Sequence, residues 1–354
     1  MSGLLDGMRV LDAGIWRPVP HATQMLVDLG AQVLKIEPPG GDPMRTFPQL
    51  FRDVAGHKRS IELDLRSDAG RARARELVTG ADVFCEGWRP GVAARLGLSY
   101  DDVRAVNHSI IYCSVSGYGQ TGPNVARPGH DVNYQALAGA IAPRPGEEPV
   151  IPRVPIADLA AGTVAALCIC AAWAKKIQTG EGERIDVSMA DVVASWSGTS
   201  SGNLLRGRAQ PTRGSAGYGV FHCADGGWLT LAVISEDHFW KAVCEALDLA
   251  PALHALGHLE RLDRFDECQG AIADACAVLT RADALDRLTR AGAPVAPVLD
   301  PAEMSANEQF RSREVVFDAG DGTVRLGFPA RLEEHPPRRP GPVPEVGRDT
   351  SGWA

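Results

Sequence analysis

Three side chains in this 354-residue chain stand where they could do chemistry. Asp158 opens the longest apolar segment, where an Asp is by default the N-cap of its own helix. His130 lies in Gly129-His130-Asp131-Val132-Asn133-Tyr134, between a Pro-Gly turn and a helical stretch. An imidazole titrates near neutrality and can move protons, although a lone His in such a place is structural by default. Glu236 opens a helix further on, where a carboxylate also suits the helix dipole. Basic residues gather near the starts of the early helices: Lys35 and Arg45 around Pro38-Pro39-Gly40-Gly41, then His57-Lys58-Arg59, then Arg89 and Arg95 around Pro90-Gly91. With free helix N-terminal amides such groups would meet a nucleotide phosphate. From charge alone, a solvated surface is the simpler account.

Two local motifs invite stronger readings than their contexts allow. Gly117-Tyr118-Gly119-Gln120-Thr121-Gly122 fits G-x-G-x-x-G after a convincing strand. Pro123 and Asn124 follow where a helix should open, and no acidic residue ends a second strand about twenty residues on, so a dinucleotide site is disfavoured. The glycines equally permit close approach of backbone to another ligand or chain. Gly198-Thr199-Ser200-Ser201-Gly202 fits a nucleophile elbow but follows a helix-like segment, so a flexible linker is the better reading. His254 and His258 are spaced i, i+4 without the intervening Glu of a metalloprotease helix, and the eight cysteines have no zinc-like spacing; reduced buried thiols and no metal are expected.

The elements that must position these groups alternate. Met8–Ala13, Gln32–Ile36, Val83–Cys85, Ser109–Val115 and Arg184–Val187 read as strands. Between them lie helical stretches over Pro20–Leu29, Gly70–Val78 behind a Ser67-Asp68 cap, Tyr100–Val106, and a long segment from Asp158 to Gly180 expected to be a buried central helix. Such alternation predicts a mainly parallel sheet covered by helices. From Gly198 to Gly219 the composition turns to Gly, Ser and Arg, a linker signal. Beyond it come a hairpin (Val220–Cys223 into Trp228–Ile234), three helical stretches, a strand at Val295–Leu299, a last hairpin about Gly320-Asp321-Gly322, and an extended Pro-Arg tail at 336–340. The expected architecture is therefore α/β: a large domain of residues 1–197 and 312–354 with a mainly parallel, Rossmann-like sheet, a linker over 198–219, and a smaller α+β domain over 220–311.

Composition is that of an ordinary globular protein, with 45% hydrophobic and 23% charged residues. Thirty-six basic against forty-four acidic side chains give a formal charge of -8, which predicts no nucleic-acid or anionic-membrane partner. The start lacks the basic region and apolar run of a secretory signal, and no long uninterrupted apolar stretch occurs, so a cytoplasmic location is expected.

Several ordered segments resemble the family III coenzyme A transferases and the related α-methylacyl-CoA racemases. They are Arg9-Val10-Leu11-Asp12, Asp28 through Pro43, Lys58-Arg59-Ser60-Ile61-Glu62-Leu63-Asp64-Leu65, Trp88-Arg89-Pro90-Gly91 with Arg95-Leu96-Gly97, and Gly117 through Pro123. The resemblance spans nearly the whole chain. It implies an acyl-CoA substrate and no separate cofactor, with Arg45, Lys58, Arg59, Arg89 and Asp131 as candidates to hold the CoA. It also implies an interlocked homodimer whose large domain is built from both chain ends.

Two chemistries follow from the resemblance. In the transferases the carboxylate matching Asp158 is the nucleophile, carrying acyl anhydride and CoA-thioester intermediates. In the racemases it is the acid/base partner of the His in the Gly-His-Asp motif, with a nearby Glu matching Glu236. Because this chain has His130, Asp158 and Glu236, the expectation is an acyl-CoA racemase or epimerase. Two bases would flank the α-carbon, and backbone amides at the start of the Asp158 helix or in a glycine turn would stabilise the enolate. The CoA transferase is the alternative. Leu159-Ala160-Ala161-Gly162 after the Asp, and Trp16-Arg17-Pro18 in place of a small-residue stretch, depart from the racemase pattern and reshape the acyl pocket.

Overall fold

The computed structural model describes residues 3–143, 147–200, 202, 206–207, 214–320 and 322–353. The five expected runs become strands β1 (Arg9–Ala13), β2 (Gln32–Glu37), β4 (Val83–Glu86), β5 (Ile111–Ser116) and β6 (Glu183–Ser188), and a strand the pattern does not predict, β3 (Arg59–Glu62), joins them. All neighbouring pairs are parallel and the order is β3-β2-β1-β4-β5-β6. β4 and β5 are buried along their whole length, as strands covered on both faces must be. The helices between them are α1 (Pro18–Asp28), α2 (Pro48–Ala55), α3 (Asp68–Thr79), α4 (Val92–Arg95), α5 (Tyr100–Val106), α6 (Asp131–Leu137), α7 (Ile156–Thr179) and α8 (Met189–Ser200). The order reverses between β1 and β4, and it is outside the carboxyl ends of strands at such a point that an open α/β sheet holds ligands.

α7 begins at Ile156 behind Pro155 and stops at Gly180, which adopts φ 74° as a left-handed C-cap. Its small face, Ala157, Ala160, Ala161, Ala165 and Ala166, packs into the core with α1. The expectation of a fully buried helix holds for that face only: Leu167 and Ile177, on other faces, are 66% and 67% exposed. By length and composition α7 could cross a bilayer, but its alanine face is core.

The chain divides into two units, Met1–Arg206 with Glu308–Ala354, and Gly207–Asn307. In the smaller unit β7 (Tyr218–His222), β8 (Trp228–Ala232) and β9 (Val295–Pro297) form an antiparallel sheet. Five helical segments, from Asp237–Ala246 to Arg281–Arg290, stand where three stretches are expected; the extra ones are short turns opened by Pro251 and His258. Much of the expected linker, including Ser201, lies outside the described residues; α8 runs on to Ser200 and β7 starts at Tyr218. The last hairpin is β10 (Val316–Asp318) with β11 (Val324–Leu326), and Asp321 at its turn is likewise outside the described residues. The Pro-Arg tail has no regular structure, yet it is tied down. Arg338 donates from its backbone N to the Asp28 carbonyl (2.7 Å), and Trp353 Nε1 donates to the Leu77 carbonyl (2.8 Å).

Candidate active site

A cavity of about 620 Å³ opens at the switch point of the sheet. The β1–α1 connection contributes Ile15 and Trp16, the segment after β4 contributes Trp88 and Arg89, and the end of β5 contributes Ser116 and Gly117. His130 and Asp158 line the same cavity, so two residues 28 positions apart in sequence are brought together by α6 and α7. The G-x-G-x-x-G segment opens no helix. Gly117 stands where a Cβ would lie 2.5–2.7 Å from the Tyr134 ring, and Gly119 and Gly122 take positive φ in the turn that follows. The Tyr134 hydroxyl donates to the Gly129 carbonyl (2.5 Å), seating the α6 N-terminus beside β5.

Asp158 is not the cap of α7. That role belongs to Asp131, whose Oδ1 accepts from the Ala157 and Asp158 amides at 2.7 and 3.2 Å. Asp131 is therefore a positioning residue rather than a ligand contact, and its oxygen occupies the amides at the start of α7 that the sequence suggests as oxyanion donors. Burial raises the Asp158 pKa to about 6; the neighbouring Asp131 carboxylate adds to the rise and Arg17 opposes it. At neutral pH the group is still largely ionised, and more basic than an ordinary carboxylate.

The basic candidates separate by location. Arg89 lines the cavity. Lys58 does not face it: its fully buried ammonium donates to Asp12 Oδ2 (3.0 Å), the Pro20 carbonyl (2.9 Å) and Thr23 Oγ1 (2.6 Å). Burial lowers its pKa to about 8 against the pull of Asp12. Arg45 makes a two-pronged bond to Glu37 (2.7 and 2.6 Å) and donates to the Pro344 carbonyl. Arg59 pairs with Asp349 of the tail at 2.9 Å. A buried charge needs a partner, and these three have internal ones, so they hold the β1–β3 edge together instead of waiting for phosphate. Glu236 lies in the smaller unit at the start of helix Asp237–Ala246, where its Oε2 accepts the Ile234 amide at 3.0 Å. Its own backbone amide and that of Ile234 hold its carboxyl below the usual range.

Sequence reasoning passes over Arg127, and over Arg17 except as a departure from a family pattern. Arg127 lines the cavity. Arg17 sits at the start of α1 next to Trp16, whose φ of +63° is unusual for a bulky residue and holds the indole, 45% exposed, at the cavity wall. The signal available in the sequence is the Trp16-Arg17-Pro18 departure itself.

An open α/β sheet with a carboxylate of raised basicity at its switch point, and with guanidinium groups that find no partner among the described residues, has the makings of a site for an anionic ligand. Residues 5–350 match the family model for CoA-transferase family III, and the chain belongs to that family. It is 33% identical over 364 residues to acetyl-CoA:oxalate CoA-transferase of Acetobacter aceti, covering 96% of this chain and 92% of that one. It is 32% identical over 373 residues to succinate–glutarate CoA-transferase of Agrobacterium fabrum, covering 97% and 93%. A solved CAIB/BAIF family protein from Brucella suis superposes with a TM-score of 0.87 at 27% identity, over 98% of this chain and 97% of that one. The racemase or epimerase expectation is corrected by these findings: full-length relatives are named as CoA-transferases. The physical reason for the error is that one aspartate serves either chemistry, as base or as nucleophile, and a His on the same cavity does not decide between them.

Proposed function

We propose that the protein is a CoA-transferase that moves CoA from an acyl-CoA donor to an acceptor carboxylate through Asp158. The observation that carries this reading is the half-buried Asp158 carboxylate, with its raised pKa, in the switch-point cavity of a family III chain. Ionised Asp158 attacks the donor thioester carbonyl, giving a mixed anhydride and expelling CoA thiolate. The thiolate then attacks the Asp158 carbonyl, forming an aspartyl–CoA thioester and releasing the donor acid. The acceptor carboxylate attacks that thioester and CoA thiolate leaves again. Thiolate attack on the acceptor's carbonyl then yields the new acyl-CoA and free Asp158. Arg89 and Arg127 meet the anionic CoA, and His130, beside the nucleophile, orients or protonates the departing acid. A homodimer is proposed as the assembly, supported by the uncovered apolar Leu167 and Ile177 of α7; sedimentation at a mass near one chain would reject it.

Incubation with acetyl-CoA followed by hydroxylamine is expected to convert Asp158 to its hydroxamate, read by peptide mass, and Asp158→Asn to give none. A folded enzyme in which no acid accepts CoA and Asp158 stays unmodified would overturn the reading.

A further inference from the structure

Trp16 combines two features that folding alone does not explain. Its backbone sits at φ +63°, a costly conformation for a bulky residue, and its indole is 45% exposed, so little core burial offsets that cost. The turn that carries it is held from behind. The Gly14 amide donates to Asp12 Oδ1 at 2.9 Å, and the Gly14 carbonyl accepts from Lys35 Nζ at 2.5 Å. Both of those side chains are buried and locked in their turn, Asp12 by Lys58 (3.0 Å) and Thr23 (2.7 Å), Lys35 by Asp42 (2.9 Å). A Cβ on Gly14 would stand 2.4 Å from the Val19 Cβ, so the turn is also pressed against α1. Backbone strain persists where the surroundings over-determine it, and such places gather at functional sites.

The indole lines the cavity that holds Asp158, and the walls of that cavity are unlike. Its cations, Arg89 and Arg127, come from the segments after β4 and β5, whereas the β1–α1 wall of Ile15, Trp16, Pro18 and Val19 carries no charge. A polyanionic CoA is drawn to the cations, which leaves the apolar wall to the carbon chain of the acyl group. We propose that Trp16 is a specificity-determining residue: its indole, fixed by the Asp12 and Lys35 clamp on Gly14, closes the acyl end of the cavity and limits the length of chain that can be joined to Asp158. The inference rests on the transferase reading and names the residue that sets its acyl limit.

The test is the rate at which acetyl-, butyryl-, hexanoyl- and octanoyl-CoA load CoA onto Asp158 without acceptor, followed by intact mass for the wild type, Trp16→Asn and Trp16→Phe. Asn tolerates a positive φ, so the first variant removes the ring without straining the turn. The wild type is expected to load from hexanoyl-CoA about 100-fold more slowly than from acetyl-CoA, and Trp16→Asn to narrow that ratio about 30-fold, with Trp16→Phe between. A ratio that the substitutions leave unmoved would overturn the inference, as would a wild type that loads from all four chains alike. An equal change for every donor would put the indole against the shared pantetheine arm and overturn it too. If no donor loads Asp158 the transferase reading fails, and calorimetric binding of the same acyl-CoAs then judges Trp16 separately: a chain-length preference relaxed in Trp16→Asn supports the inference, and one indifferent to the substitution rejects it. Should Trp16→Asn not fold, a chain-length limit unmoved in Trp16→Phe rejects it.

Discussion

Asp131→Asn isolates the electrostatic part of the site because the structure can absorb the change without moving. Asp131 Oδ1 accepts the Ala157 and Asp158 amides, and an Asn oxygen can do the same. The other oxygen accepts from Gln135 Nε2 (2.5 Å), and the Gln135 Oε1 is buried without a partner, so turning that amide over lets it accept from the nitrogen that the substitution introduces. What is lost is one negative charge beside Asp158. At an effective dielectric of 20 two unit charges in contact interact by about 4 kcal/mol, which is a ceiling for a pair this close to solvent. Burial is the larger cause of the rise to about 6, so Asp131 accounts for roughly one pH unit, about 1.4 kcal/mol. The carboxylate is the active form, so kcat/KM rises with pH through the Asp158 pKa. The acidic limb should therefore move from about pH 6 in the wild type to about pH 5 in the variant. At pH 5.5 the variant then runs at about three-quarters of its own plateau, against about one-quarter for the wild type. The assay is the initial rate of CoA transfer across this range with the same substrates, whose own titrations cancel in the comparison. Coincident limbs in a variant that melts normally would refute the coupling.

Asp158→Asn should abolish transfer and yet stabilise the protein. A carboxyl whose folded pKa is raised from 3.8 to about 6 costs stability as pH climbs between those values, so at pH 7 the substitution should gain up to about 3 kcal/mol, vanishing below about pH 4, in urea titrations at the two pH values. Lys58→Met and Arg89→Ala should behave oppositely although both are basic candidates for CoA. The first strands the buried Asp12 carboxylate and should cost about 3–5 kcal/mol in a thermal melt, whereas the second should leave the melt unchanged and raise the KM for acyl-CoA. Gly162→Ala places a Cβ against the Pro18 carbonyl and should cost about 1–3 kcal/mol, with a parallel loss of turnover as α1 shifts from α7.

The sheet is legible because its strands are short β-branched runs between capped helices, a pattern only a parallel sheet accommodates. Strand order is not legible, since the pairing of β1 with β4 passes over β2 and β3 and is set by packing. At the site, His130 and Asp158 can be named from sequence because a motif carries one and a helix start the other. The capping role of Asp131 cannot, because its partners lie 26 and 27 residues away. Lys58 and Arg89 look alike as letters; only Asp12 and Thr23, 46 and 35 residues from Lys58, make one a core charge and leave the other in the cavity. Arg17 is visible only as a departure, since nothing local says that its guanidinium finds no partner among the described residues.

The raised basicity of Asp158 also bears on which intermediate accumulates. In the mixed anhydride, CoA thiolate can attack either carbonyl. Attack on the substrate's carbonyl must expel Asp158, with a pKa of about 6. Attack on the Asp158 carbonyl expels the substrate acid, a less basic and better leaving group with a pKa of roughly 4 to 5 for an ordinary carboxyl. The anhydride therefore partitions toward the aspartyl–CoA thioester, and intact-mass measurement of enzyme mixed with acetyl-CoA in the absence of acceptor should find CoA, not acetyl, on Asp158. Asp131→Asn makes the carboxylate less basic and should return more of the anhydride to acetyl-CoA and free enzyme, lowering the share of enzyme that carries CoA. Equal CoA loading in the wild type and Asp131→Asn, with most of the enzyme unmodified in both, would mean that Asp158, once it carries the acyl group, leaves as readily as the substrate does, and that burial and Asp131 do not set its basicity.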